Sequence, residues 1–254
     1  MHADIYKMLT VILAMILALI LVSGALFAYL NRSYIIAWYQ KVSGDEVVVS
    51  PFLEQRVQAF SVKPAVAPDA DTLVFVGDSL IETFPWHEHF TDRDDLTVVN
   101  RGIYGDTIGG LAGRFDVSFL VERRPTIVLM IGANDIGTDA SCSETFVDAY
   151  RALLVRLTDA GVLGEQLFVN SLLPTRRPDK SNAAIVACNA AIERLTTELG
   201  LQYVDLYSIF ADASGELNPD FSLEDGLHLS DDGYRVWLRI IKEHLAIEHD
   251  RDKR

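Results

Sequence analysis

Leu73-Val74-Phe75-Val76-Gly77-Asp78-Ser79-Leu80 runs from an unbroken apolar stretch into a glycine-containing polar turn. A short apolar run ended by glycine reads as a strand covered on both faces, the kind found in parallel sheets. The pattern recurs downstream. Thr97-Val98-Val99 is closed by Asn100-Arg101-Gly102, and Thr126 to Ile131 enters after Pro125 and stops at Gly132. Leu167-Phe168-Val169 and Gln202 to Leu206 bring the set to about five strands.

Helical patterns separate the strands. One spans roughly Thr107 to Glu122. A second follows Ser141, with Glu144 three residues on as a capping box and Phe146, Val147, Tyr150, Leu153, Leu154 and Leu157 at helical spacing. A third begins near Ser181 or Asn182 and stops at Gly200. The last runs from Asp231 to about Leu245, with acids in its first turn and Tyr234, Trp237, Leu238, Ile241 and Leu245 facing inward. Strand–helix alternation implies right-handed crossovers and a parallel, doubly wound α/β sheet.

Such sheets bind ligands beyond the carboxyl ends of their strands. That rule sorts the polar residues. Gly77-Asp78-Ser79, Asn100-Arg101-Gly102 and Gly132-Ala133-Asn134-Asp135 follow the first three strands and open on one sheet edge. Asp225-Gly226-Leu227-His228 precedes the final helix. Ser79 is the candidate nucleophile, because a hydroxyl at a strand-to-helix turn is exposed and the helix start favours developing negative charge. His228 is its candidate base, and Asp225 the group that holds the imidazole tautomer. The backbone N–H groups of Ser79 and Gly102 and the Asn134 side-chain amide are candidate oxyanion donors. Asp78 and Asp135 are read as supporting, turn-stabilising groups. Arg101 suits either a substrate anion or a structural ion pair. His87 and His89 flank Glu88 on alternating positions, which sets them at the surface or the pocket rim rather than on a metal.

Gly77-Asp78-Ser79-Leu80 resembles the first block of the GDSL/SGNH hydrolase family, and Gly102, Gly132-x-Asn134-Asp135 and Asp225-x-x-His228 are similar to its later blocks, in order. Asn100-Arg101-Gly102-Ile103-x-Gly105-Asp106-Thr107 is similar to the branch containing the catalytic subunits of platelet-activating-factor acetylhydrolase. The likeness covers about Leu73 to Leu245. It implies a flavodoxin-like three-layer α/β/α sandwich, hydrolysis of esters or thioesters, and no metal or cofactor. By this resemblance Ser79, Asp225 and His228 form the triad, and Ser79, Gly102 and Asn134 the oxyanion hole. Ile81 departs from the pattern, since many relatives carry Ser or Thr there. Position 81 is also not the glycine that a Gly-x-Ser-x-Gly elbow requires.

The remaining sequence places this unit. Half of the 254 residues are apolar and the formal net charge is −14, which opposes nucleic-acid binding and general adhesion to anionic lipid. From Met8 to Leu30 no residue is charged, a run long enough to cross a hydrocarbon core of about 30 Å as a helix. A cleaved signal peptide competes, with Ser23-Gly24-Ala25 as its cut site, but the apolar run continues past Ala25 and favours an uncleaved transmembrane anchor. The expected organisation is an anchor or signal at 1–31, a juxtamembrane region and linker at 32–70 with a short helix between Phe52 and Phe60, the hydrolase domain at 71–248 and a charged tail at 249–254. The domain is expected on the extracytoplasmic face, with secretion after signal cleavage as the alternative. Cys188 falls on the buried stripe of the third helix, and two free cysteines are favoured over a Cys142–Cys188 disulfide.

The combined expectation is serine-dependent hydrolysis of short-chain acyl or acetyl esters of lipids or carbohydrates through an acyl-Ser79 intermediate. Rival readings are an acyltransferase acting on a glycan hydroxyl, a thioesterase or lysophospholipase, a non-catalytic binding domain on the same fold, and a metal-dependent phosphoesterase using Asp78, Asp135 and His228.

Overall fold

The computed structural model describes residues 55–57, 59, 71–93, 95–115 and 125–251. The chain divides into two units, 1–51 and 52–254, and every described residue falls in the second. The apolar segment expected to anchor the chain lies outside the described residues; among those described, no helix is long and apolar enough to cross a membrane.

Strands β1 (Asp71–Gly77), β2 (Leu96–Gly102), β3 (Thr126–Met130), β4 (Leu167–Asn170) and β5 (Gln202–Val204) form one sheet in the order β2-β1-β3-β4-β5. Every neighbouring pair is parallel. The chain moves outward from β1 to β2 and then returns to the other side of β1, so the order reverses at β1. A crevice opens beyond the carboxyl ends there. β2 is longer than its apolar core suggests, since Asn100, Arg101 and Gly102 pair with Phe75, Val76 and Gly77 rather than forming a turn.

Successive strand residues face opposite sides, and each side carries its own core. Val74, Val76, Ile127, Leu129 and Val169 face helices α2 (Ile108–Gly113), α3 (Glu144–Asp159) and α4 (Asn182–Leu199). Leu73, Phe75, Val128, Met130 and Phe168 face α1 (Ser79–Glu82), the 3-10 turn Trp86–His89, α5 (Tyr207–Phe210) and α6 (Asp231–Arg251). Helices thus cover both faces, which is why the strands read as continuous apolar runs. Trp86 and Trp237 are fully buried, and Phe75 stacks on Trp86 with centroids 4.0 Å apart.

Several boundaries differ from the sequence expectation. α3 is capped by Ser143, not Ser141, because the Ser143 hydroxyl accepts the Phe146 N–H at 3.1 Å. α2 closes at Gly113, three glycines having weakened its helical preference, and residues 116–124 lie outside the described residues. α6 continues through Arg251, since no glycine or proline follows Leu245 to stop it.

The cysteine expectation is corrected. Cys142 and Cys188 form a disulfide with Cα atoms 5.0 Å apart. Cys188 does lie on the buried stripe of α4, but Cys142 immediately precedes the cap of α3, and α3 packs beside α4. Only that packing brings the thiols together.

Candidate active site

The crevice is built first from β1. Asp78 leaves the strand, and its carboxylate accepts the Leu80 N–H at 3.0 Å, capping α1. Ser79 is therefore the first helical residue, with its own N–H unpartnered among the described residues, as first-turn donors are. Its side chain meets a turn that closes the chain just ahead of α6. There the Leu223 N–H donates to the His228 carbonyl at 2.8 Å, and both the Arg176 N–H and the Thr175 hydroxyl donate to the Gly226 carbonyl, at 2.8 and 2.9 Å. Thr175 and Arg176 thereby brace this turn from behind.

Ser79 Oγ lies 2.8 Å from His228 Nε2, and His228 Nδ1 lies 2.5 Å from Asp225 Oδ2. The other Asp225 oxygen accepts the N–H groups of Leu227 and His228, both at 2.9 Å. Partial desolvation pushes the Asp225 carboxyl upward, but these bonds together bring it down to about 2, so it is a fixed anion beside the ring. The Tyr104 ring stacks on the imidazole, with centroids 5.8 Å apart.

The candidate oxyanion donors fare differently. Asn134 sits in a 3-10 turn after β3 and donates one amide hydrogen to the Asp106 carbonyl at 2.8 Å, which leaves its second hydrogen open among the described residues. Lys180 Nζ steadies this turn by donating to the carbonyls of Ala133 and Ile136, at 2.7 and 3.1 Å. The Gly102 N–H, expected among the donors, is not free, because it donates to Asn100 Oδ1 at 2.9 Å. Gly102 instead permits close approach: a Cβ there would stand 2.3 Å from the Glu82 nitrogen. Three residues on, the Gly105 N–H has no partner among the described residues, and its φ of +74° is one that side chains rarely adopt.

Two buried carboxylates, Asp78 and Asp106, underlie the site, and the more exposed Asp135 stands beside them. Asp106 pairs with Arg114 at 2.8 Å, and Asp135 Oδ2 accepts the Ile108 N–H at 3.1 Å. Burial, reinforced by Asp106 and Asp135, pushes Asp78 up to about 7 against its Leu80 hydrogen bond and the nearby His228. Burial likewise raises Asp135 to about 6. Both stand where part of the population is neutral near physiological pH. Arg101 is buried and does not line the crevice.

Beside His228 a cleft of about 620 Å³ is lined by Phe84, His89, Tyr104, Leu223, Tyr234 and Arg235, among others. His89 stacks on Phe84 at this rim, with centroids 4.7 Å apart. Sequence reasoning passed over Asn100, whose side-chain nitrogen donates to the carbonyls of Ile81, Glu82 and Phe84. No local pattern marks such a clamp, since its partners lie 16 to 19 residues away.

A serine hydroxyl, an imidazole and a carboxylate in line at the edge of a parallel α/β sheet define a serine-hydrolase arrangement. The comparisons agree on the class. The family model described as the GDSL-like lipase/acylhydrolase family matches residues 75–236, and the chain belongs to that family, an ester hydrolase by its membership. An acetylxylan esterase from Geobacillus stearothermophilus is 22% identical over 166 residues, which is 62% of this chain and 76% of that protein. A Streptococcus pneumonia structure provisionally described as a platelet activating factor has a TM-score of 0.66 at 24% identity, covering 85% of this chain and 99% of its own. A GDSL-like lipase from Bacteroides thetaiotaomicron has a TM-score of 0.62 at 20% identity, covering 78% and 97%. At these identities the structural likeness is one of fold.

Proposed function

We propose that the protein cleaves short acyl esters, acetyl groups above all, through an acyl-Ser79 intermediate. The observation that carries this reading is the 2.8 Å contact of Ser79 Oγ with His228 Nε2, backed by Asp225 on the other ring nitrogen. His228 Nε2 takes the hydroxyl proton as Oγ bonds to the ester carbonyl carbon. The carbonyl oxygen becomes an oxyanion, received by the N–H groups of Ser79 and Gly105 and the open hydrogen of Asn134. When the tetrahedral intermediate collapses, the alkoxy group leaves with the proton held by His228. Water, deprotonated by the same imidazole, then attacks the acyl-enzyme, and Ser79 leaves with the proton.

The leaving alcohol belongs in the aromatic cleft beside His228. Phe84, Tyr104 and Tyr234 offer flat apolar faces there, while Asp231 and Arg235 offer polar contacts. Such a mixture suits a sugar or a polar lipid headgroup better than a long acyl chain. The relative named an acetylxylan esterase supports the carbohydrate side. The Cys142–Cys188 disulfide supports placing the domain outside the cytoplasm, where disulfides persist, held by the apolar segment 8–30.

The test is Ser79→Ala in the full-length chain with nitrophenyl acetate and acetylated xylooligosaccharides. Turnover should disappear with both. Retained cleavage would refute the acyl-Ser79 intermediate, and preference for long-chain nitrophenyl esters would refute the substrate class.

A further inference from the structure

The turn that follows β2 reaches over the candidate base, yet its tip has little support of its own. Tyr104 is 62% exposed, and a Cβ at Gly105 would meet nothing within 4 Å. The turn's base is pinned by the Ile103 N–H to the Gly77 carbonyl at 3.0 Å, and by the Asp106 N–H to the Ile103 carbonyl at 3.1 Å. What holds the tip is Glu82, the last residue of α1, one of whose carboxylate oxygens accepts the Tyr104 N–H.

Glu82 is itself held from outside the sheet. Arg56 lies in the helical stretch ahead of β1, where the sequence led to the expectation of a short helix between Phe52 and Phe60. Its Nε is 2.9 Å from the other Glu82 oxygen, Oε1, and its Nη2 donates to the Gly102 carbonyl at 3.1 Å. One guanidinium therefore grips both the root of the turn and the carboxylate that fixes its tip. A planar fork with several fixed donors is suited to such a double contact. Arg114, close by, is committed to Asp106 on the far side of the same turn.

We propose that Arg56 is a positioning residue, completing the candidate active site from the segment that precedes the folded sheet. It rests on the reading of Ser79 and His228 as the reacting pair. Through Glu82, Arg56 sets the Tyr104 ring on the imidazole, the height of the Gly105 N–H, and the Asp106 carbonyl to which Asn134 is bonded. Three parts of the site thus move with one turn. Displacement of such groups by about 1 Å can cost on the order of 100-fold in rate. A consequence is that a chain beginning at β1 would keep Ser79, Asp225 and His228 and still be a poor catalyst. Anything that draws Arg56 away from Glu82 and Gly102 would lower activity without touching the reacting groups.

The experiment compares Arg56→Ala, Arg56→Lys and Glu82→Gln with the parent, all as full-length chains. Arg56→Ala should lower kcat by about 10- to 100-fold, with KM within about twofold and the melting temperature within a few degrees. Arg56→Lys should recover part of kcat, and millimolar guanidinium should rescue Arg56→Ala but not Glu82→Gln. Amide hydrogen exchange over residues 102–107 should quicken in Arg56→Ala, which reads the turn without any turnover. Unchanged exchange there overturns the proposal, as does a kcat loss that merely tracks lost folded protein with no guanidinium rescue. If Ser79→Ala retains turnover, the catalytic reading fails instead, while exchange still decides whether Arg56 holds the turn.

Discussion

The Asn100 side chain takes the Gly102 N–H at 2.9 Å while its own amide nitrogen binds the carbonyls of Ile81, Glu82 and Phe84. The residue that ends β2 is thereby locked to the end of α1, and the N–H best placed by sequence to meet an oxyanion is already engaged. The open N–H lies at Gly105, at the tip of the same turn.

That arrangement predicts which donors matter. Asn134→Ala should lower kcat for ester cleavage by about 10²- to 10³-fold, an effect of roughly 2.7–4 kcal/mol. Gly105→Ala should also lower kcat, because its φ of +74° strains any side chain and moves the N–H. Steady-state kinetics on nitrophenyl acetate check both, with KM expected to change little.

Asp225→Asn should keep the fold and lower kcat by about 10²- to 10⁴-fold, since an amide can donate to Nδ1 and so favour the wrong imidazole tautomer. The wide range reflects the partial exposure of this carboxylate, 42% of its side chain. A kcat within threefold of the parent would remove Asp225 from the mechanism.

Stability should depend on pH through Asp78. Its folded carboxyl titrates near 7, against 3.8 unfolded. The unfolded chain therefore loses this proton first, and stability falls as pH rises from about 4 to about 7. Asp135, raised to about 6, acts in the same direction. Asp225, held near 2, acts oppositely and lower, with stability lost as pH falls from about 4 toward 2. Asp78→Asn should thus raise the melting temperature at pH 8 relative to the parent, and the gap should close at pH 4. A parallel pH dependence in the two proteins would contradict the burial argument.

The disulfide joins residues 46 apart in sequence, so its loss frees a long loop in the unfolded chain. Replacing Cys142 and Cys188 by alanine should cost roughly 3 kcal/mol and lower the melting temperature by about 10 °C. Calorimetry with and without reductant should show the same loss for the parent and none for the variant.

How far the sequence reading reached depended on the range of each interaction. β1, β3 and the buried stripe of α4 were legible because covering a strand on both faces, or a helix on one, leaves a periodic apolar pattern. Asn100–Gly102 was misread as a turn because polar residues at a strand end satisfy ladder pairing with β1 that no local pattern reveals. The cap of α3 fell two residues from its expected place because Ser141 and Ser143 differ only in the backbone geometry that follows.

Sequence alone determined the order of the elements, the sheet edge on which the polar turns gather, and the identity of Ser79, Asn134, Asp225 and His228 as candidates. Those are consequences of local periodicity and of strand direction. Tertiary structure alone decided that Cys142 meets Cys188, that Asn100 occupies the Gly102 N–H, and that Arg56 reaches Glu82 and Gly102 from ahead of the first strand. The physical reason is common to all three. Hydrogen bonds, ion pairs and disulfides act over a few ångströms between groups distant in the chain, and only the packed fold sets those separations.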